Sequence, residues 1–178
     1  MNRAQSVCIL IDMQEKLLAH MHDHDNLVDA AVKLVKGLNI LEVPLLWNEQ
    51  YPRGLGPTTE PIARLLEGSS PMEKKSFSCC GSPDFMKALE QTHAGHVILF
   101  GIEAHVCVYQ TARDLLQRGY TVDIPADCVS SRTAFNKETA LNRLRDLGAG
   151  IVTMEMVLFD LLQEARGDRF KAVSGIVK

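Results

Sequence analysis

Cys107 is the residue best placed for nucleophilic chemistry. It follows Val97-Ile98-Leu99-Phe100-Gly101, an apolar run ended by a glycine, and sits where a helical pattern begins. The free N–H groups of a helix N-terminus favour a thiolate, so this position predicts a lowered thiol pKa. Asp12 closes another apolar run, Val7-Cys8-Ile9-Leu10-Ile11, and Lys74 and Lys75 lie in residues 71–78, a segment that can lead to the same edge. A lysine cation supports a thiolate, a carboxylate takes the thiol proton, and the thiolate attacks an electrophilic carbon. Two backbone N–H groups near the turn would hold the resulting oxyanion.

The elements that must position these groups alternate along the chain. After the run ending at Asp12, Leu27, Ala30, Ala31, Leu34, Val35, Leu38 and Leu41 recur at helical spacing, and Pro44 bars continuation. Val43–Trp47 reads as a second strand, and Gly54, Gly56, Pro57 and Pro61 mark a long loop. Ser82-Pro83-Asp84 has the residues of a helix start, a cap, a first-turn proline and an acid. Residues 97–100, 120–124 and 150–153 are further strands; Ala112, Leu115 and Leu116, then Ala140, Leu141, Leu144 and Leu147, stripe the helices between them. A last helix is expected over residues 157–162. This alternation predicts an α/β fold: one doubly wound, mainly parallel sheet with right-handed crossovers and helices on both faces. Catalytic groups then gather beyond the carboxyl ends of neighbouring strands.

Length and composition set the outer bounds. At 178 residues, one domain spanning 1–178 is expected, with no repeat or low-complexity tract. The apolar share is 46%, and no run approaches the ~20 residues of a membrane span. Net charge is −3 with scattered Lys and Arg, which argues against a nucleic-acid surface. Five cysteines without a secretory signal point to reduced thiols in the cytoplasm rather than a disulfide framework. Cys8, Cys79, Cys80 and Cys128 read as structural.

Three segments in order, Leu10-Ile11-Asp12-Met13-Gln14, Lys74-x-x-Phe77-Ser78 and Gly101-Ile102-Glu103-Ala104-His105-Val106-Cys107-Val108, resemble the signatures of the isochorismatase-like cysteine hydrolases. The likeness continues through residues 126–132 and 148–151 and is nearest to small isochorismatase-domain proteins of uncertain substrate. It implies a Rossmann-like three-layer fold and a triad: Asp12 as base, Lys74 as electrostatic support, Cys107 as nucleophile. Lys74 is preferred to Lys75 because the family's lysine stands three residues before an aromatic–Ser pair. The resemblance also implies a cis peptide at Ile102–Glu103, with the N–H groups of Glu103 and Cys107 forming the oxyanion hole. Gln14, Asn48 and Gln50 are candidate substrate contacts.

Nicotinamidases of that family hold a metal through Asp-x-His, where this chain has Glu49-Gln50-Tyr51. Tyrosine is a poor replacement for neutral imidazole toward zinc-like ions, so neither metal nor cofactor is expected. The implied activity is hydrolysis of a small amide or related acyl compound through a covalent Cys107 intermediate. The implied partners are that small-molecule substrate and further copies of the chain in a homo-oligomer, without nucleic acid or membrane. Two alternatives are a non-catalytic scaffold of the same fold and a thiol redox protein, which lacks a Cys-x-x-Cys pair. His20, His22 and His24 alternate, but only a strand would gather them, and the segment reads as a solvated loop. His105 reads as structural or pocket-lining, and Asp127 as a loop tether. Gly54 and Gly56 make no phosphate-binding fingerprint.

Overall fold

The computed structural model describes residues 1–178. Its centre is β1 (Ser6–Ile11), buried along its whole length as expected of a parallel strand covered on both faces. Short α1 (Glu15–Leu18) and long α2 (His24–Leu41) follow, then β2 (Leu45–Gln50), α3 (Pro52–Leu55) and α4 (Glu60–Ala63). Next come β3 (Met72–Lys74), α5 (Pro83–Gln91) and β4 (His96–Ile102). A π-helical turn over Ala104–Val108 leads into α6 (Tyr109–Gln117), followed by β5 (Thr121–Pro125) and β6 (Val129–Ser130). The chain ends with α7 (Ala134–Asp146), β7 (Gly150–Val152), α8 (Met154–Leu162) and α9 (Gly167–Val177).

The sheet order is β3-β2-β1-β4-β5-β7, with β6 paired to β4, and all these pairings are parallel. The chain moves outward through β2 and β3, then returns to lay β4 on the other side of β1. The switch between β1 and β4 opens the crevice in which doubly wound sheets bind ligands. Asp12 follows β1 and Cys107 follows β4, so the topology itself brings both to that crevice.

Local signals explain most boundaries. Buried Leu27, Ala31, Leu34, Val35, Leu38 and Leu41 form the inner stripe of α2, which stops at Glu42 with φ 57°. Ser82 caps α5 by accepting from the Phe85 N–H, with Pro83 in the first turn. Thr133 and Thr153 cap α7 and α8 in the same way. Several elements differ from the sequence expectation: β2 runs over Leu45–Gln50 rather than Val43–Trp47, α3 and α4 lie in the segment expected as a loop, and α8 begins at Met154 rather than Val157. β3 and β6 are only three and two residues long, too short for a period-2 pattern to show. α9 has one fully buried residue, Val173, so its apolar stripe is faint.

One apolar cluster fills both sides of the sheet and includes Cys8, Cys79 and Cys128, all fully buried. Burial pushes each of these thiols well above an ordinary cysteine. The sign of the linkage follows. Above pH ~8.5 the unfolded chain loses thiol protons that the folded chain keeps, so stability falls as pH rises. Each thiol contributes about 1.4 kcal/mol per pH unit between its unfolded and folded values. Urea melts at pH 7.5 and pH 10 are expected to show a marked alkaline loss, shallower in Cys8→Ala. An equal slope in that variant would contradict the assignment.

Candidate active site

Asp12 leaves β1 with φ 52°, a left-handed conformation that Asp and Asn tolerate better than other side chains. Its N–H donates to the Asn48 carbonyl at 3.1 Å and its carbonyl accepts from the Gln14 N–H at 2.7 Å. The side chain is fully buried. Oδ2 accepts from Lys74 Nζ at 2.7 Å, while Oδ1 has no hydrogen-bond partner. Lys74 therefore engages Asp12; Lys75 is exposed and contributes its carbonyl to Gln50.

Lys74 ends β3, two strands from Asp12 in a sheet whose strands stand ~4.8 Å apart. Its side chain crosses the end of β2 to reach the carboxylate. An ammonium has three donors, and Lys74 places its own on Asp12, on Gln50 Oε1 at 2.7 Å and on the Phe77 carbonyl at 3.2 Å. Burial works most strongly against the ammonium, but Asp12, Cys79 and Cys107 together turn the net shift upward. Lys74 is a fixed cation with its hydrogen bonds already committed.

Cys107 lies in the π-helical turn, 7% exposed. Burial, then the Asp12 charge, pushes its thiol up to about 12 against the opposing pull of Lys74. The expectation of a lowered thiol is thus reversed: desolvation exceeds what one cation and one helix turn return. Burial also raises the Asp12 carboxyl, with Lys74 and then Cys107 pulling it back. The resting site is a neutral thiol beside a carboxylate of increased basicity.

The Ile102–Glu103 peptide is cis. The Glu103 carbonyl accepts from the N–H groups of Val106 and Val108, whereas the Glu103 N–H donates to no protein acceptor. Its carboxylate is held by Arg132 Nε at 2.8 Å. His105 Nδ1 lies 2.9 Å from Ser131 Oγ, which ties the turn to the segment before α7. The Asp127 carboxylate accepts from the Met154 N–H and so tethers the start of α8. His22 meets the same 130–131 segment through its N–H to the Ser131 carbonyl, and His24 opens α2.

The three candidate substrate contacts are placed differently from expectation. Gln14 is fully buried; its amide donates to the carbonyls of Gln50 and Gly56, and its oxygen accepts from the Gln50 N–H. Asn48 is 1% exposed and reaches the Leu10 carbonyl at 3.3 Å. The Gln50 amide is spent on Lys74 and on the Lys75 carbonyl. Polar side chains at strand ends satisfied the backbone first.

Sequence reasoning did not single out three exposed aromatics. Tyr51, Phe77 and Phe135 are 52%, 55% and 75% exposed, and each follows the carboxyl end of β2, β3 or β6. The Tyr51 ring covers Gly54, where a Cβ would fall 2.4 Å from the ring. The signal was present: apolar aromatics in segments that a strand has just left. A surface hollow of about 560 Å³ is lined by residues of α1, α2 and α4, Glu15, Leu18, His24 and Val28 among them, and by none of Asp12, Lys74 and Cys107.

Comparison with known proteins agrees with this architecture. The isochorismatase domain model matches residues 6–156. The chain is 40% identical to isochorismatase domain-containing protein 2 of Danio rerio, covering 97% of this chain and 86% of that protein. It is 36% identical to the Homo sapiens protein of that name, covering 97% and 83%. Among solved structures, the Mar1 ribonuclease of Caenorhabditis elegans superposes with TM-score 0.93 at 33% identity, covering 99% of this chain and 91% of that one. The Escherichia coli YcaC gene product, an octameric hydrolase of unknown specificity, shares the fold at TM-score 0.94 and 19% identity, covering 99% and 88%. No helix of the chain is long and apolar enough to cross a membrane. The chain belongs to the isochorismatase family.

Proposed function

We propose that this protein hydrolyses a small amide or related acyl compound, with Cys107 as nucleophile, Asp12 as base and Lys74 as the cation that orients Asp12. One observation carries the reading: the buried Asp12 Oδ1 is unpartnered, and its carboxyl and the Cys107 thiol bias each other's protonation. As sulfur approaches the substrate carbonyl, the thiol proton passes to Oδ1. The C–S bond forms and the carbonyl oxygen becomes an oxyanion, held by the N–H groups of Glu103 and Cys107. Collapse expels the amine, which takes the proton from Asp12 and leaves a thioester on Cys107. Water, deprotonated by Asp12, then releases the acid and restores the thiol. None of these steps calls on a metal. Association into a homo-oligomer belongs to the same proposal, and sedimentation tests it.

A second reading, RNA cleavage, is favoured by the exposed Tyr51, Phe77 and Phe135, since aromatic side chains stack on unpaired bases. The committed hydrogen bonds of Lys74 weigh against it, because they leave that cation nothing to offer a phosphate. A panel of amides, esters and a short single-stranded RNA separates the two. The expected result is amide or ester turnover with an acyl adduct on the Cys107 peptide by mass spectrometry, both lost in Cys107→Ala. Turnover surviving that substitution, or activity on RNA alone, would overturn the hydrolase reading.

A further inference from the structure

Gln50 stands between the lysine and the strand it must cross. It is the residue of β2 in register with Lys74 on β3, and β1 with Asp12 lies on its other side. Its side chain is gripped at both ends, Oε1 accepting from Lys74 Nζ at 2.7 Å and Nε2 donating to the Lys75 carbonyl at 2.8 Å. Its backbone is gripped as well, the N–H by Gln14 Oε1 at 2.8 Å and the carbonyl by Gln14 Nε2 at 3.0 Å. Gln14 follows Asp12 by two residues, so this clamp ties the end of β1 to the end of β2.

We infer that Gln50 is a positioning residue for the hydrolysis, holding the Lys74 ammonium on Asp12 Oδ2 so that Oδ1 alone faces the Cys107 thiol. The geometry requires such a holder. A lysine has free rotors along its stem, and an ammonium held only by Asp12 can swing to bridge both carboxylate oxygens. That would occupy the acceptor meant for the thiol proton. Gln50 and the carbonyls of Phe77 and Ser76 draw the other two donors away from Oδ1. With its donors committed, Lys74 acts on the Cys107 thiol chiefly through its charge.

This inference rests on the triad reading, and its test keeps the two apart. Gln50→Met keeps the length and removes both amide contacts; Gln50→Asn stays polar but withdraws the carbonyl from Lys74. Because Gln14 holds the backbone, both variants are expected to fold, with melting temperatures near that of the parent. The readout is the pH dependence of iodoacetamide alkylation at Cys107, which needs no known substrate. Both variants are expected to shift that profile downward by about one unit, a roughly tenfold faster reaction at neutral pH, because the released ammonium moves onto Oδ1 beside the thiol. Asp12→Asn, measured in parallel, is expected to shift it downward. If Asp12→Asn moves the profile and both Gln50 variants overlay the parent, the Gln50 role is overturned and the triad stands. If Asp12→Asn leaves the profile unmoved, the triad reading and this inference fall together. Either Gln50 variant alone carries the test should the other not fold.

Discussion

Asp12→Asn is expected to abolish hydrolysis while making Cys107 alkylate faster. The two effects oppose each other because Asp12 does two things to the thiol. At rest its negative charge, second only to burial, keeps the thiol protonated, up to about 12. Removing that charge leaves the Lys74 ammonium unopposed, so the thiol pKa falls and each unit of fall gives tenfold more thiolate at neutral pH. During turnover, however, Asp12 is the acceptor for the thiol proton and the base for water, and an amide oxygen cannot replace it. Loss of a general base costs typically 10²- to 10⁴-fold. Asparagine accepts the left-handed backbone at this position, so the variant keeps the φ of 52° without added strain. Stopped-flow alkylation between pH 6 and pH 10, beside kcat on the substrate found by the panel, reads both effects. Slower alkylation together with lost turnover would mean that Asp12 supports the thiolate, contrary to the assignment here.

Much of this site was legible in the sequence because its chemistry sits on strands whose apolar runs are unmistakable. β1 and β4 are buried on both faces, so Val7–Ile11 and Val97–Phe100 announce themselves and carry Asp12 and Cys107 at their ends. Lys74 was harder, since β3 is three residues long and offers no pattern. The family likeness, rather than periodicity, separated it from Lys75. The resemblance could not say how the site is charged. Whether a buried thiol is lowered or raised depends on desolvation against one cation at a particular depth, and depth is absent from a sequence. The same limit hid the hydrogen-bond partners of Gln14 and Gln50. Polar residues at strand ends look available in a string of letters, but backbone groups beside them claim their hydrogen bonds.

Gly101→Ala is expected to be the most damaging single-methyl change in the chain. Gly101 pairs with Ile11 on β1 and with Val129 on β6, and its φ is 118°, where side chains are rarely tolerated. A Cβ there would stand 2.0 Å from the Ile11 carbonyl oxygen and under 3.0 Å from two more backbone atoms of that residue. Those atoms belong to the central strand and have no rotamer to change. Relief requires the carboxyl ends of β1 and β4 to part, the same ends that carry Asp12 and lead to Cys107. An unusual φ alone costs ~1–3 kcal/mol, and the backbone collision adds to it, so a loss above about 3 kcal/mol is expected. Activity should fall further than stability explains, because any soluble fraction holds the thiol farther from Oδ1. Denaturant melts and the Asp12-dependent shift of Cys107 alkylation measure these separately. A Gly101→Ala protein with parental stability and an unchanged alkylation profile would show that the close approach of β1 and β4 is not what assembles the site.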